Sequence, residues 1–390
     1  MPIYADYAAT HPLRSCAWEA MTAALDLWGN PSSLHEAGRK AGEALATARA
    51  TVARLIGAHP SEVVFTSGGS EGNTTAIRSA AHAGARAGKR HILTTAIEHP
   101  SVLNTMAVVE SEGFCVERLP VSPDGYVTAR QVASAIRPDT ALVAVMHANN
   151  EIGTVQPIRE IAHACRERGV LCHTDAVQTV GRIPVNAKDL GVDTLSCSAH
   201  KFGGPRGVGV LYVREGTPFT PLIPGGHQET GRRAGTENLP GAMGMAAALH
   251  EAVNGMDEAN ALLRSLANTL AEAVLHGIPD ARLNGCPRCM SPHCDAPCSL
   301  PHIVSFTFNG IDGEALVYRL DAEGIHVSAG SACTAGSPAP SHVISALGLP
   351  PEVALGTVRI SLGKENTAEE VTRVAQAILR LVDDLRGDGI

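Results

Sequence analysis

The sequence of 390 residues lacks the features that would point to a nucleic-acid or membrane partner. It carries no block of lysine or arginine, and acidic residues outnumber basic ones, 39 to 31, which gives a formal net charge of −8. This balance argues against nucleic acid and anionic membranes as partners. No apolar run reaches the length of a transmembrane helix. We therefore expect a small-molecule substrate and no direct binding of nucleic acid or membrane.

The first residues also lack the basic start and the apolar stretch of a secretory signal peptide. We therefore expect a cytoplasmic protein. In such a protein, the ten cysteines are expected to be thiols, ligands or catalysts rather than a disulfide framework. The length exceeds that of a usual single domain, which predicts one large domain, one smaller domain and a cleft.

Strand and helix patterns alternate through the first half of the chain. Short apolar runs that predict strands lie at 62–66, 91–95, 115–119, 141–146 and 170–172. Their alternation with helical patterns predicts a mainly parallel sheet covered by helices on both faces. A long helical pattern at 241–276 leads to a second unit, for which we predict a compact α+β domain.

A glycine-rich bend between two apolar runs holds Ser198, His200 and Lys201. A lysine there suits an imine with pyridoxal 5′-phosphate (PLP), because glycines let backbone donors approach a phosphate. Taken alone, the bend is also compatible with a surface turn. A second bend, at 67–72, precedes a helical pattern at 73–87 and offers N–H groups to an anion. An ordinary helix cap formed by Ser70 is the alternative there.

Polar residues follow the predicted parallel strands, at the ends where open α/β sheets bind ligands. His99, Asn150 and Asp175 lie at three such ends. Each has a structural alternative as a turn residue or a helix cap. Together they form a candidate site.

Seven stretches in this order, spread over nearly the whole chain, resemble the group I cysteine desulfurases. These are PLP-dependent enzymes of the class V aminotransferase family with the aspartate-aminotransferase fold, which is fold type I. The matching stretches are 4–10, 65–69, 148–157, 173–178, 198–205, 233–238 and 331–333. The resemblance implies an α/β fold with a large PLP-binding domain at 14–255 and a small α+β domain formed by 1–13 and 256–390.

The resemblance also implies roles for the residues at matching positions. Lys201 is the Schiff-base lysine, and Cys333 is the nucleophile, whose structural alternative is a buried small hydrophobe. His99 stacks on the ring and assists proton transfer. The substrate carboxylate is held by Arg359 and Asn150. The cofactor-binding residues implied are Gly69, Ser70, His99, Asn150, Asp175, Gln178, Ser198, His200 and Lys201, with Thr236 reaching the phosphate of the neighbouring subunit in a homodimer.

The implied reaction converts L-cysteine to L-alanine and leaves a persulfide on Cys333, in the loop 328–340. Sulfur then passes to an acceptor protein for iron–sulfur cluster assembly or thio-modification, and Cys333 is also a candidate ligand of a cluster held by a scaffold. A selenocysteine lyase or an aminotransferase of the same fold is the nearest alternative. A metal-binding scaffold or sensor is the alternative from another class.

The chain departs from the family pattern at Ser70 and Gly72, where Thr and Ser are common, and more strongly in two further places. The bend at 225–231 carries His227 and Thr230 where the family has a glycine and an arginine, so Arg232 or Arg233 is expected to compensate. An insertion at 286–298 is rich in thiols, which suit zinc or an iron–sulfur cluster. A thiol-rich or disulfide-bearing surface loop is the alternative. The candidate metal ligands are Cys286, Cys289, Cys294 and Cys298.

Overall fold

The computed structural model describes residues 2–286, 298–329 and 340–387. The strands are β1 (Ile3–Tyr4), β2 (Val63–Thr66), β3 (His91–Thr95), β4 (Cys115–Leu119), β5 (Thr140–Ala144), β6 (Leu171–Asp175), β7 (Thr194–Ser198), β8 (Gly209–Val213), β9 (Arg282–Leu283), β10 (Ile303–Thr307), β11 (Ile325–His326) and β12 (Thr357–Ser361). The helices are α1 (Ser15–Ala24), α2 (Glu36–Leu55), α3 (Gly69–Arg86), α4 (Pro100–Ser111), α5 (Ala129–Ala135), α6 (Ile158–Glu167), α7 (Ala187–Leu190), α8 (Leu239–Asn254), α9 (Met256–Gly277), α10 (Gly313–Ala322), α11 (His342–Ala346), α12 (Pro351–Ala354) and α13 (Ala368–Gly387).

The main sheet has seven strands in the order β2-β8-β7-β6-β5-β3-β4. The five strands from β7 to β4 run parallel, whereas β8 is antiparallel to both of its neighbours. Strands such as β3, β5 and β7 are buried along their whole length, as expected for a sheet covered on both faces. The prediction of a mainly parallel sheet is confirmed.

Helices pack on both faces of this sheet. On one face, α2, α6 and α8 contribute residues such as Leu45, Ile161 and Leu249 to a common core. On the other face, Ile77 of α3 and Met106 of α4 form a separate core with residues of β3 and β5. Because both faces are covered, the carboxyl-end edge of the parallel strands is the place where a ligand can reach the sheet.

A second, smaller sheet has the antiparallel order β12-β10-β9. Its core joins the two ends of the chain, because Ile3 and Ala5 pack with residues of α9, α10 and α13. β1 also pairs in parallel with β11. The N-terminal arm that follows β1 therefore starts from this second core.

Two helical predictions differ from the structure. The pattern at 241–276 forms two helices, α8 and α9, which separate at Gly255, a residue of low helix propensity with φ −96° and ψ 11°. α3 begins at Gly69 rather than at residue 73. Gly68 makes this early start possible, since its φ of 154° is readily adopted only by glycine and turns the chain directly from β2 into the helix.

Within residues 2–286, 298–329 and 340–387, no helix is both long enough and apolar enough to cross a bilayer.

Candidate active site

A cavity of about 540 Å3 lies at the carboxyl-end edge of the main sheet. Its walls come from the N-terminal arm, the start of α3, the segments that follow the parallel strands, and β12 of the second sheet. The fold thus gathers into one cavity residues that are far apart in the sequence. The predicted site residues that line it are Gly69, Ser70, His99, Asn150, Asp175, Gln178, Ser198, His200, Lys201 and Arg359.

Lys201 ends a short 3-10 turn that follows directly on β7. Its Nζ donates hydrogen bonds to the backbone oxygens of Ala8 (2.7 Å) and Ala9 (2.8 Å) in the N-terminal arm. Its own backbone oxygen accepts a hydrogen bond from Nη2 of the buried Arg182 (3.1 Å). Contacts on both the backbone and the amine therefore fix the position of this lysine in the cavity wall. An amine that reacts with one particular ligand atom needs such a fixed position.

The start of α3 offers a binding place for an anion. No side chain caps this helix, and Gly69 and Ser70 of its first turn line the cavity. The first N–H groups of a helix have no helical carbonyl to bind and carry the positive end of its dipole. Gly209 of β8 packs against the bend, since a Cβ at that position would lie 2.6 Å from the Cα of Gly68. The close approach of these two backbone segments therefore requires glycine at 209.

Ser198, His200 and Arg206 also line the cavity. Nδ1 of His200 lies 3.1 Å from Oγ1 of Thr10. Burial, together with the nearby Lys201 and Arg206, lowers the pKa of His200 to about 4, so its ring is neutral at physiological pH. Arg206 was missed by the sequence reasoning. The available signal was its place in the same glycine-rich bend that carries the lysine.

Asp175 ends β6 and is 5 % exposed. Its Oδ1 accepts a hydrogen bond from the backbone N–H of Val177 (2.9 Å), and its Oδ2 accepts one from the side-chain amide of Asn73 (2.6 Å). Two donors thus hold the oxygens of this carboxyl group in place, which suits a protonated ring nitrogen in a ligand. Asn73 belongs to α3 and was not among the predicted site residues.

His99 precedes α4 and caps it. Its Nδ1 accepts a hydrogen bond from the backbone N–H of Ser101 (3.1 Å) and lies 2.8 Å from the hydroxyl oxygen of the same residue. Burial lowers the pKa of His99; Lys201 and His342 act in the same direction, and Asp175 opposes them. The cap uses Nδ1 alone, so the structural alternative and the predicted role of this cavity residue are compatible.

Arg359 of β12 forms the side of the cavity that belongs to the second sheet. Its side chain is 2 % exposed; Nη2 bonds to Oδ1 of Asp6 (2.7 Å), and Nη1 bonds to the backbone oxygen of Asn150 (2.9 Å). Its Nε is buried and has no hydrogen-bond partner among the described residues. Asp6 was not predicted. A buried guanidinium with an unused donor suits a carboxylate ligand.

Among the described residues, Thr236 is the predicted cofactor residue that does not line the cavity. Thr236 is exposed and lies outside the cavity of its own chain. Cys333 lies outside the described residues. On the N-terminal side of its loop, the backbone of Ser328 exchanges two hydrogen bonds with that of Arg359 (3.1 and 2.7 Å). The chain therefore enters the loop beside an arginine of the cavity.

The cysteine-rich insertion is described only at its two ends. The N–H of Cys286 donates to Oγ1 of Thr154 (2.9 Å), and the backbone oxygen of Cys298 accepts from the N–H of Val155 (3.0 Å). Both ends of the insertion are therefore bound to two adjacent residues. Within residues 2–286, 298–329 and 340–387, no three His, Cys, Asp or Glu side chains form a group that could hold a metal ion. The other two candidate ligands lie outside these ranges: Cys289 and Cys294.

The bend at 225–231, where the sequence departs from the family pattern, is anchored by Glu229. Its buried carboxylate receives two hydrogen bonds from Arg49 (2.6 Å each). Glu229 and Thr230 have φ of 48° and 55°, a left-handed conformation that is unfavourable for a β-branched residue. Arg233 pairs with Glu71, which lines the cavity (Nε to Oε1, 3.0 Å). This arginine therefore supports the cavity wall through another residue.

The donor set of the cavity fits PLP. The uncapped start of α3 suits its phosphate, and Lys201 supplies the amine. Asp175 suits its pyridine nitrogen, because two hydrogen-bond donors hold the carboxyl oxygens in place at the cavity wall.

Comparison with known proteins gives matches over nearly the whole chain. The family model described as aminotransferase class-V matches residues 3–374. The chain is 45% identical over 385 residues to cysteine desulfurase IscS of Dictyoglomus turgidum. The aligned region covers 98% of this chain and 95% of the relative.

Two solved structures are similar along most of their length. A NifS-like protein superimposes with a TM-score of 0.89 at 37% identity, covering 99% of this chain and 100% of its own. The structure described as SspA in complex with cysteine superimposes with a TM-score of 0.79 at 37% identity, covering 94% of this chain and 100% of its own. The chain belongs to the aminotransferase class-V family and, within it, to the cysteine desulfurases.

Proposed function

We propose that this protein is a PLP-dependent cysteine desulfurase that converts L-cysteine to L-alanine and forms a persulfide on Cys333. The observation that carries the proposal is that Lys201, Asp175, His99 and Arg359 line a single cavity. They supply an amine, a carboxylate, an imidazole and a carboxylate-binding guanidinium. The similarity to a structure described as a complex with cysteine supports the choice of substrate.

Bound PLP supplies an electron sink for the charge that develops at the substrate Cα. In our proposal, backbone and side-chain donors hold its phosphate, Asp175 holds its ring nitrogen, and His99, Asn150 and Gln178 contact the ring and its oxygen. The phosphate donors proposed are Gly69, Ser70, Ser198, His200 and Thr236 of the partner subunit.

Arg359 and Asn150 bind the carboxylate of cysteine and orient its Cα–H bond toward Lys201. The amine of Lys201 removes the Cα proton, which is efficient because the two groups are held together in one cavity. His99 assists proton movements on or near the substrate thiol. Its lowered pKa keeps the ring neutral at physiological pH.

The thiolate of Cys333 then attacks the substrate sulfur. A bond forms between the two sulfur atoms, the Cβ–S bond breaks, and its electron pair stays with Cβ, which takes a proton. Return of a proton to Cα then gives alanine. The step needs no external oxidant. It does require Cys333 to be ionised, because the thiolate is the nucleophile.

Product analysis separates this function from its alternatives. The PLP-loaded protein is incubated with L-cysteine, and alanine and the corresponding 2-oxo acid are measured; selenocysteine is tested in parallel, with and without Cys333→Ser. A desulfurase gives alanine from cysteine and loses this activity in the variant. A 2-oxo acid would identify an aminotransferase, activity toward selenocysteine alone would identify a lyase, and no turnover would favour a scaffold or sensor.

We further propose that the insertion binds zinc or an iron–sulfur cluster through its four cysteines. The two ends of the insertion lie close together beside Thr154 and Val155. This supports the proposal, because it brings the first and the last of the four cysteines near each other. Metal and sulfide content after anaerobic purification tests it, with Cys289→Ser/Cys294→Ser as the comparison. Equal metal content in both proteins would reject these ligands.

The remaining proposals concern assembly and location. We propose a homodimer, a sulfur-acceptor protein for iron–sulfur cluster assembly or thio-modification, and a cytoplasmic location. Cys333 is proposed to share a cluster with a scaffold. The division into domains at 14–255 and at 1–13 with 256–390 is also a proposal, supported by the separate cores of the two sheets. Sedimentation analysis, affinity capture with persulfide trapping, cell fractionation and limited proteolysis test, in turn, the homodimer, the sulfur acceptor, the location and the domain division.

A further inference from the structure

Asn73 is a buried amide from which hydrogen bonds branch in three directions. Its side chain is 0 % exposed. Its Nδ2 lies 2.6 Å from Oδ2 of Asp175 and 2.9 Å from Oγ of Ser101, and its Oδ1 lies 3.0 Å from Nε2 of His173. Nδ1 of His173 lies 2.9 Å from Oγ1 of Thr194. The three partners of Asn73, and Thr194 beyond them, belong to strands β6 and β7 and to helix α4.

The direction of these hydrogen bonds follows from the chemistry of their ends. An ionised carboxylate only accepts hydrogen bonds, so the amide nitrogen of Asn73 must face Asp175, and Oδ1 must accept from Nε2–H of His173. Burial lowers the pKa of His173 to about 4, so this ring is neutral and its Nδ1 accepts from the hydroxyl of Thr194. Each donor in the series Thr194, His173, Asn73 therefore points toward Asp175.

The second amide hydrogen of Asn73 begins another branch. It goes to Oγ of Ser101, which leaves the hydroxyl hydrogen of Ser101 for Nδ1 of His99, 2.8 Å away. The backbone N–H of Ser101 also donates to this Nδ1 (3.1 Å). With two donors at Nδ1, the neutral ring of His99 carries its proton on Nε2.

We propose that Asn73 is a positioning residue that holds the Asp175 carboxylate in place and, through the Ser101 hydroxyl, supports the Nε2–H tautomer of His99 at the same time. Aligned hydrogen bonds in a buried environment polarise one another, which strengthens the stabilisation of the carboxylate. Through Asp175, Asn73 also controls the protonation of the PLP ring nitrogen. The effect on catalysis rests on the proposed function, whereas the protonation pattern is a property of the folded chain.

Asn73→Asp is the decisive variant, because it keeps the shape of the side chain and replaces the donor with an acceptor. Two facing carboxyl groups must share a proton, so Asp175 loses negative charge. A hydrogen bond to a charged group contributes about 1.5–3 kcal/mol, so we expect kcat to fall roughly 10- to 100-fold. The KM for cysteine is expected to change little, because Arg359 is untouched.

Two readouts test the network apart from activity. The pH midpoint of the visible absorbance of bound PLP is expected to rise by about one unit or more in Asn73→Asp, because a ring that loses its proton no longer lowers the imine pKa. The 15N-histidine NMR spectrum of the PLP-loaded wild-type protein is expected to show Nε2–H tautomers at His99 and His173. In Asn73→Asp, the hydroxyl of Ser101 turns to the new carboxylate, and the Nδ1 signal of His99 is expected to shift, because this nitrogen loses one of its two donors.

If Asn73→Asp does not fold, Thr194→Val tests the same network, because it removes only the donor that lies farthest from Asp175. It should shift the pH midpoint in the same direction, but by less. Thr74→Ala is the matched control: it lies next to Asn73 in α3, and its hydroxyl bonds to Thr105 instead (3.0 Å). We expect no shift in this control. The inference is overturned if His173 is an Nδ1–H tautomer, or if the other two variants behave like Thr74→Ala. If the wild-type protein makes no alanine, the proposed function fails, and the tautomers and the midpoint still decide the inference.

Discussion

Replacing Arg359 with lysine tests how the cavity binds the carboxylate of its substrate. The guanidinium already bonds to Asp6 and to the backbone oxygen of Asn150, and its buried Nε has no partner among the described residues. A lysine has one nitrogen and cannot serve Asp6, the Asn150 carbonyl and a substrate carboxylate together. Losing a charged hydrogen bond costs about 1.5–3 kcal/mol, so the KM for L-cysteine is expected to rise roughly 10- to 100-fold.

Initial rates of alanine release over a range of cysteine concentrations measure this effect, and visible absorbance checks that PLP is bound. Arg380→Lys is the matched control, because Arg380 makes two 2.7 Å hydrogen bonds to Glu323 on the surface. Exposed ion pairs contribute little, so neither KM nor stability should change in the control. An unchanged KM in Arg359→Lys with full PLP binding would refute the assignment of Arg359 as the carboxylate site.

Three further predictions concern pH and stability. Burial raises the pKa of Glu98 to about 8, so the folded state keeps this proton and the free energy of unfolding falls as pH rises from about 4.5 toward 8. Glu98→Gln should make the free energy of unfolding, measured with denaturant, depend less on pH. An unchanged pH dependence would contradict the assignment. Thr230→Gly relieves the φ of 55° and should raise the free energy of unfolding by about 1 kcal/mol; a loss of stability would argue against strain there. Because burial lowers the pKa of His99, the acid limb of kcat/KM should lie below about pH 6.5 and disappear in His99→Gln; a limb that persists belongs to another group.

The fold was largely predictable because parallel strands leave a simple pattern. Strands such as β3 and β5 are buried on both faces, so they appear as short apolar runs between helical periods. Such runs do not encode strand direction, so the reversal of β8 was not predicted. The break at Gly255 was also missed, since one glycine changes the helical periodicity very little.

The site was predictable where a polar residue follows an apolar run. Asp175 ends one strand, Lys201 follows another, and both line the cavity. Asn73 was missed because, inside α3, it is one polar residue among several, and only the packing of α3 against the sheet brings it to Asp175. Asp6 was missed because its contact with Arg359 joins opposite ends of the chain. The roles of these residues, and those of Cys333 and Thr236, remain predictions.

A single-turnover experiment tests the central claim most directly. The PLP-loaded protein is mixed with one equivalent of L-cysteine without a thiol reductant, alanine is quantified, and each cysteine-containing peptide is alkylated and weighed by mass spectrometry. We predict one sulfur atom added to Cys333 for each alanine formed, and neither product in Cys333→Ser, although that variant binds PLP. Alanine formed at the wild-type rate by Cys333→Ser, or sulfur added to a different cysteine, would contradict the mechanism.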